Sequence, residues 1–168
     1  MKLRLIAVMT ALLAMTSVAN AGLVLDPYFG TGTYKATQSG NTDLDKTATS
    51  LGARVGMSIP MFAVGIDYEK QSASDKNNIK HTNLSVFAMA NLPLVRVWGE
   101  YFLSSSWDSD LDTSAISFKD GIGFGAGFTG LPFVSLNLEM QTLNYEYKGA
   151  SDIKVVTTVF SVSLPLDL

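Results

Sequence analysis

The chain of 168 residues has no cysteine, a single histidine and few charged residues. Without cysteine the protein has no disulfide and no thiolate chemistry, so its stability must come from hydrogen bonding and packing. Charged residues make up 16 % of the chain, against about 25 % in ordinary soluble domains. Hydrophobic residues nevertheless reach 47 %.

Long hydrophobic runs are also missing after the first 21 residues. No later window approaches 18 uninterrupted apolar residues, which excludes helical membrane spans. The apolar residues are instead dispersed along the chain. Alternation with a period of two is the pattern that disperses them in this way, and it is typical of β-strands.

Residues 1–21 have the pattern of a cleaved secretory signal peptide. Lys2 and Arg4 precede an apolar run, and the segment ends in Ala19-Asn20-Ala21. An uncleaved membrane anchor is the alternative, but a spanning helix needs about 20 apolar residues. We therefore expect a signal peptide at 1–21 and one mature domain at 22–168.

The mature chain is acidic, because the signal peptide removes two of the 12 basic residues and leaves 15 acidic ones. The formal charge is then about −5. A surface of this charge makes nucleic acid an unexpected partner.

The five prolines recur at spacings of 33, 33, 39 and 33 residues, which indicates an internal repeat. Pro60, Pro93 and Pro132 each lie in a very short connection between two alternating segments. Proline cannot donate to a sheet ladder, so at a turn it ends strand pairing at a fixed point. We predict three tight turns at these positions.

Alternation divides the mature chain into eight strands of roughly ten residues, long enough to cross a tilted bilayer. Short proline turns alternate with longer polar connections at residues 36–49, 72–82, 104–117 and 148–152. This arrangement predicts an all-β fold: an eight-stranded antiparallel up-and-down transmembrane β-barrel, with short turns at one rim and longer loops at the other. The last strand is expected to alternate to the end of the chain.

The second face of the strands indicates which side looks outward. It consists mainly of glycine, serine, asparagine and alanine, including four alternate glycines in residues 121–127. Small side chains suit the narrow lumen of an eight-stranded barrel, while a water-facing surface would carry more charge. A soluble periplasmic ligand-binding barrel is the alternative placement.

Aromatic residues toward the loop ends predict a girdle at the membrane interface. About eight residues of tilted strand climb roughly 20 Å, close to the ~25 Å apolar band of such barrels. The ordinary β-propensity of aromatic residues is the competing explanation. The predicted loop-side girdle consists of Tyr34, Tyr68, Tyr101, Trp107 and Tyr145, and the opposite girdle of Tyr28, Phe62 and Phe133.

In its signal segment, its alternation of short turns and long loops, and its terminal strand, the whole chain resembles the small eight-stranded outer-membrane barrels of Gram-negative bacteria. That family includes the OmpA membrane domain and OmpX. Its terminal strand usually ends in an aromatic residue as a signal to the assembly machinery, whereas this chain ends PLDL. The resemblance implies localisation in the cell outer membrane, with lipid, lipopolysaccharide and the assembly machinery as partners; we also expect a monomer.

The resemblance also implies a charged network inside the barrel. The inward positions supply Arg54, Asp67, Glu69, Arg96, Glu100 and Glu139. An unpaired charge in that interior would be costly, so we expect both arginines to be held by acids on neighbouring strands. Such a network would plug the lumen rather than conduct.

The residues give little support for catalysis or metal binding. His81 and Ser85 share a face but lie about 13 Å apart in an extended strand, too far for a nucleophile and its base. Asp108, Asp110 and Asp112 are weak candidates for a divalent cation, because the loop lacks the glycine and distal glutamate of an EF-hand. We expect no catalytic residue and no cofactor.

The leading functional hypothesis is a structural or interaction protein that acts through its loops. Two alternatives stay open. One is a narrow pore, or a conduit for hydrophobic compounds that opens sideways into lipid. The other is a lipid-modifying outer-membrane enzyme.

Overall fold

A computed structural model describes residues 22–38, 41–59, 61–73, 79–108, 116–148 and 151–167. Within these ranges the chain is built from β-strands. No helix in this part of the chain is long and apolar enough to span a membrane. Residues 1–21 and Pro60 lie outside the described ranges, so the signal peptide and the first proline turn stay predictions.

Eight long strands form one closed antiparallel barrel, as the alternation predicts. Each strand pairs with the next along the chain, and β1 pairs with both β2 and β8. The strands are β1 Gly22–Gln38, β2 Asn41–Ile59, β3 Phe62–Ala73, β4 Lys80–Asn91, β5 Val95–Asp108, β6 Ile116–Phe128, β7 Ser135–Tyr147 and β8 Ile153–Ser163.

The outward alternation of the last strand continues as predicted through Leu164 and Leu166, but its pairing with β1 is interrupted near the end. β8 stops at Ser163, and a two-residue strand, β9 Leu166–Asp167, follows Pro165 and pairs with Val24 and Leu25 of β1. Pro165 has no N–H to donate to the ladder, so pairing breaks there.

The first hairpin is longer than the sequence indicates. Residues 36–49 were expected to form a loop, but β1 and β2 pair from Gly22↔Ser58 to Gln38↔Asn41, with a register shift after Ala36. The four threonines of residues 36–49 favour extended backbone, and the ladder satisfies the peptide groups of the hairpin. We call this end of the barrel the loop rim.

The opposite end, the turn rim, carries the tight connections. Pro93 and Pro132 lie in these turns, where Leu92 N donates to Val95 O at 2.8 Å and Thr129 N donates to Leu94 O at 2.9 Å. The apolar turn residues remain exposed: Leu94 is 59 % exposed and Phe133 is 88 % exposed.

The outer wall is apolar, and the interior holds the buried charged residues, the reverse of a water-soluble barrel. Phe29, Leu51 and Phe124 are each more than 60 % exposed, while Arg54, Asp67 and other polar residues are buried. This distribution confirms the predicted orientation of the two strand faces.

One glycine allows the first and last long strands to approach closely. A Cβ added at Gly32 would lie 1.7 Å from the carbonyl oxygen of Thr158 on β8. At Gly99 on the outer wall, the nearest atom to an added Cβ lies at an ordinary 3.7 Å. Barrel closure therefore depends on the missing side chain at Gly32.

We predict that Gly32→Ala lowers the free energy of unfolding by roughly 1–3 kcal/mol, because β8 must shift to admit the methyl group. Gly99→Ala is the matched control and should change little. Urea titration of protein refolded in detergent micelles measures both. Equal stability of the two variants would contradict the role of Gly32 in closure.

Candidate functional site

The centre of the lumen is organised around Arg54 of β2, which is completely buried. Its Nε lies 3.2 Å from Asp67 Oδ2 and 3.4 Å from Glu100 Oε1, its Nη1 lies 3.5 Å from Asp26 Oδ2, and its Nη2 pairs with Glu139. These carboxylates come from β3, β5, β1 and β7. One side chain thereby joins walls on all sides of the barrel.

Two aromatic rings hold the Arg54 guanidinium in place. Its central carbon lies 4.5 Å from the ring centroids of both Tyr28 and Trp98, a distance at which cations attract aromatic faces. Tyr28 Oη donates to Asp67 Oδ2 at 3.0 Å, and Trp98 Nε1 donates to Glu139 Oε2 at 3.3 Å. The rings therefore position the guanidinium and its carboxylates together.

Arg96 of β5 forms a second centre closer to the turn rim. Its Nη1 lies 2.9 Å from Asp26 Oδ2, and its Nη2 donates to Asn137 Oδ1 at 2.9 Å and Ser163 Oγ at 2.6 Å. Asp26 thus joins both arginines. Arg96 also lines a cavity of about 480 Å³ whose other walls come from the turn rim, including Asn91 and Pro165.

Glu69 forms a third layer of polar contacts in the lumen, after those of Arg54 and Arg96. This layer lies on the loop-rim side of Arg54. Gln71 and Gln141 each donate through Nε2 to Glu69 Oε2 at 2.9 Å, and Ser50 donates to Oε1. Gln141 Nε2 also donates to Glu139 Oε1 at 2.6 Å, which links this layer to the Arg54 centre.

Toward the loop rim, above these layers, lies a cluster of rings that we call the aromatic cap: Tyr34, His81, Trp107 and Tyr145. Tyr34 Oη lies 2.7 Å from His81 Nε2, Tyr145 Oη lies 2.6 Å from Ser105 Oγ, and the Trp107 ring packs edge-on against His81 at 4.6 Å. The cap belongs to a buried apolar cluster of Tyr34, Ala36, Ala48, Ala73, Ile79, Phe102, Leu143, Tyr145 and Val155. Four partly buried residues pack against this cluster: Trp107, Ile116, Phe118 and Ile153.

All six charged residues singled out in the sequence, Arg54, Asp67, Glu69, Arg96, Glu100 and Glu139, are buried in the lumen. The expected pairing with acids on neighbouring strands is confirmed for Arg54, which contacts Asp26 and Asp67, although it also reaches Glu139 across the barrel. For Arg96 the expectation is wrong, because its acid, Asp26, lies across the barrel on β1. Asp26, Tyr28 and Trp98 were missed. Asp26 and Tyr28 lie two residues apart and therefore on the same face of the strand. This spacing is the sequence signal that could have identified them as inward residues.

The predicted aromatic girdle requires correction. Tyr68 and Tyr101 face outward, with 46 % and 48 % exposure. Tyr34 and Tyr145 are buried inside, and Trp107 packs against Tyr145 at a ring distance of 5.3 Å. Tyr28, assigned to the opposite girdle, is also buried.

The reason for this error is strand parity. Tyr68 and Tyr101 follow Pro60 and Pro93 by eight residues, whereas Tyr34 follows Pro27 by seven. Since side chains alternate between the faces of a strand, an offset that differs by one places Tyr34 inside.

The residues considered for chemistry have other partners. His81 contacts the tyrosines of the cap, and Ser85 Oγ donates to Glu100 Oε2 at 3.2 Å. Asp108 is exposed at the end of β5, and Asp110 and Asp112 lie outside the described residues. Across the described ranges, no three His, Asp or Glu side chains are grouped to hold a metal ion.

Sequence comparison identifies no relative: no protein-family model and no curated protein matches the chain. Solved structures do match. Neisserial surface protein A shares 14 % identity and a TM-score of 0.59, with 86 % of this chain and 98 % of that chain covered. Ail, the attachment invasion locus protein of Yersinia pestis, shares 13 % identity and a TM-score of 0.57, with 86 % and 99 % covered.

A second structure of Ail, in complex with the heparin analogue sucrose octasulfate, gives a TM-score of 0.55 at 12 % identity over 86 % of this chain and 99 % of that one. At such identities the likeness concerns the fold. The chain has the fold of the small eight-stranded outer-membrane β-barrels.

Proposed function

We propose that this protein is exported by a signal peptide at residues 1–21 and resides in the outer membrane as a barrel with a closed lumen. Its role is structural or interactive, and its loop rim presents the contact surface. The likeness to outer-membrane barrels and the apolar outer wall support this placement. In lipid, a closed barrel satisfies the backbone groups that an open sheet would leave unpaired.

The observation that carries the proposal is the reach of Arg54 across the lumen. Its guanidinium contacts carboxylates on four different strands and lies between two rings. Moving this side chain away from the barrel axis would leave several buried carboxylates without a partner. Such a change costs several kcal/mol. A permeant ion or solute would have to displace it.

Two further layers close the lumen on either side of Arg54. The aromatic cap fills it toward the loop rim, and the hydrogen bonds of Arg96 cross it toward the turn rim. An eight-stranded barrel is only wide enough for side chains to fill its interior, so these layers favour a plug over a pore.

We propose outer-membrane lipid, lipopolysaccharide and the barrel assembly machinery as partners, and a monomer as the working unit. The loop-side acidic residues, among them Asp45 and Asp108, give no basis for carrying over the sulfated ligand of Ail. The hydrogen bonds of His81 and Ser85 to other buried groups support a role without catalysis.

Lipid contact by the outer wall can be tested with a charge placed near its middle. Phe124→Arg should lower the free energy of unfolding in lipid vesicles by about 2–4 kcal/mol, since arginine is costly at the bilayer midplane. The control, Thr49→Arg, places the same charge at an outward position near the loop rim, where the cost falls to about 0–1 kcal/mol. Equal losses in urea titrations would argue against the lipid-facing wall.

The closed lumen predicts that the intact protein gives no large, stable conductance steps in planar bilayers. Vesicles that contain the protein should also swell in small sugars no faster than protein-free vesicles. Reproducible steps from protein whose barrel is verified by heat-modifiable gel migration would refute the plug.

Removal of the central cation should be far more damaging than removal of a surface cation. We expect Arg54→Met to lower the free energy of unfolding by about 3–5 kcal/mol, because it leaves buried carboxylates without their partner. Lys35→Met, which breaks an exposed pair with Asp45, should cost about 0–1 kcal/mol. Urea titration compares the two variants.

Adding Glu139→Gln to Arg54→Met should recover part of the lost stability, because a neutral amide then replaces one of the buried carboxylates that lost their partner. If the double variant is no more stable than the single one, the energetic coupling between Arg54 and Glu139 is refuted.

A further inference from the structure

Near the loop rim, β5 and β6 are joined by side chains and not by a backbone ladder. Their ladder ends at Tyr101↔Ile122, although both strands continue. Above that pair, residues 102–108 of β5 pair only with β4, and residues 116–121 of β6 pair only with β7. We call this boundary without a ladder the β5–β6 seam.

The lower end of the seam is closed by packing. A Cβ added at Gly121 of β6 would lie 3.2 Å from the Cβ of Phe102 on β5. Phe102 also belongs to the buried apolar cluster, together with Leu143 of β7. The two strands are therefore in contact just above their last ladder pair, and any separation must take place above Phe102.

The aromatic cap closes the upper part of the seam. Tyr34 Oη lies 2.7 Å from His81 Nε2, and Tyr145 Oη lies 3.4 Å from His81 Nδ1. Tyr145 also contacts Ser105, with 2.6 Å between the two hydroxyl oxygens, and Trp107, with 5.3 Å between the ring centroids. His81, Ser105 and Trp107 come from β4 and β5, whereas the tyrosines come from β1 and β7. These contacts therefore join the two sides of the seam.

His81 is the central member of the cap and is only 1 % exposed. Hydroxyl oxygens lie beside both of its ring nitrogens, and the Trp107 ring packs edge-on against it. The ion pairs of the described residues do not include His81. Because a buried cation without a counter-charge is costly, the closed cap suits the neutral imidazole.

The charged residues beside His81 on the inner face come from β2 and β3. Glu69 pairs with Asn83, two residues below His81, and its carboxylate accepts hydrogen bonds from neutral amides. Lys46 lies opposite Tyr34 in the first hairpin. β1, β5 and β7 face the imidazole with hydroxyl and indole groups, which stay uncharged in mild acid. Histidine is the side chain that ordinarily gains a charge just below neutral pH.

We propose that protonation of His81 opens the β5–β6 seam, so that the loop rim responds to mild acid. Separation of the β4–β5 side from Tyr34 and Tyr145 would let water reach the charged ring. The seam can yield because no ladder crosses it above Tyr101, whereas β4 is paired with both β3 and β5 at His81. The polar layers around Glu69 and Arg54 lie below the seam, so the lumen stays filled.

The absence of cysteine allows the opening to be measured with single thiols in lipid vesicles. Ser105→Cys places a thiol in the buried cap, and Ser106→Cys places one on the exposed outer side of the same strand. The probe is an uncharged methanethiosulfonate reagent. Dividing the labelling rate at 105 by the rate at 106 removes the direct effect of pH on thiol reactivity.

We expect this ratio to rise about tenfold from pH 7.5 to pH 5.5, because the opened form gains a proton below about pH 6.5 and the closed form does not. His81→Gln is the control, since its amide can form hydrogen bonds but takes no proton in this range. In that background the ratio should be the same at both pH values.

Heat-modifiable migration verifies that each variant is folded. If Ser105→Cys fails to fold, Ala48→Cys in the same buried cluster and its exposed neighbour Thr49→Cys replace the pair. A ratio that does not change with pH in the protein with His81, an absence of labelling in the cap at pH 5.5, or an equal rise in the His81→Gln background would overturn the acid-opened seam.

Discussion

The structure depends on one buried cation, the guanidinium of Arg54, and on the carboxylates that reach it from four strands. Burial of a charge is costly unless it is paired and hydrogen-bonded. Here the pairing also defines the lumen, because the partners come from opposite walls. The same contacts that lower the cost of burial therefore fill the axis of the barrel.

The glycines of β6 make room for this arrangement. A Cβ added at Gly125 would lie 2.1 Å from the Trp98 ring, and one added at Gly127 would lie 2.9 Å from Arg96 Nε. These positions must stay small so that the ring and the second arginine can cross the lumen. The run GIGFGAG is thus a packing feature of the barrel wall, and its outward residues, such as Phe124, still extend the apolar surface.

Alternation predicted the strands and most of their faces, because nearly every strand has one apolar and one small or polar side. It failed on β1, where Gly30 and Gly32 lie inside and Thr31 and Thr33 lie outside. That strand has little contrast between its faces, so Tyr34 was assigned to the wrong one.

The alternation of side chains along a strand assigns a residue to a face. It does not give the height of the residue in the barrel or its partner across the lumen. The link of Asp26 to both arginines, the register shifts on β4 and β6 and the end of the β5–β6 ladder at Tyr101↔Ile122 depend on register. Register is set by the pairing of distant segments, and no local pattern records it. The acidic residues were therefore predictable as a set, while the network that they form was not.

The central claim is that this barrel has a lipid-facing apolar wall around a closed interior that contains the buried charged residues. A spin-label scan along β7 in lipid bilayers tests it most directly. Labels at Leu136, Leu138 and Met140 should collide with dissolved oxygen, while labels at Asn137, Glu139 and Gln141 should be shielded from both oxygen and a water-soluble nickel complex. Strong nickel access at the second set, or the opposite alternation, would contradict the account.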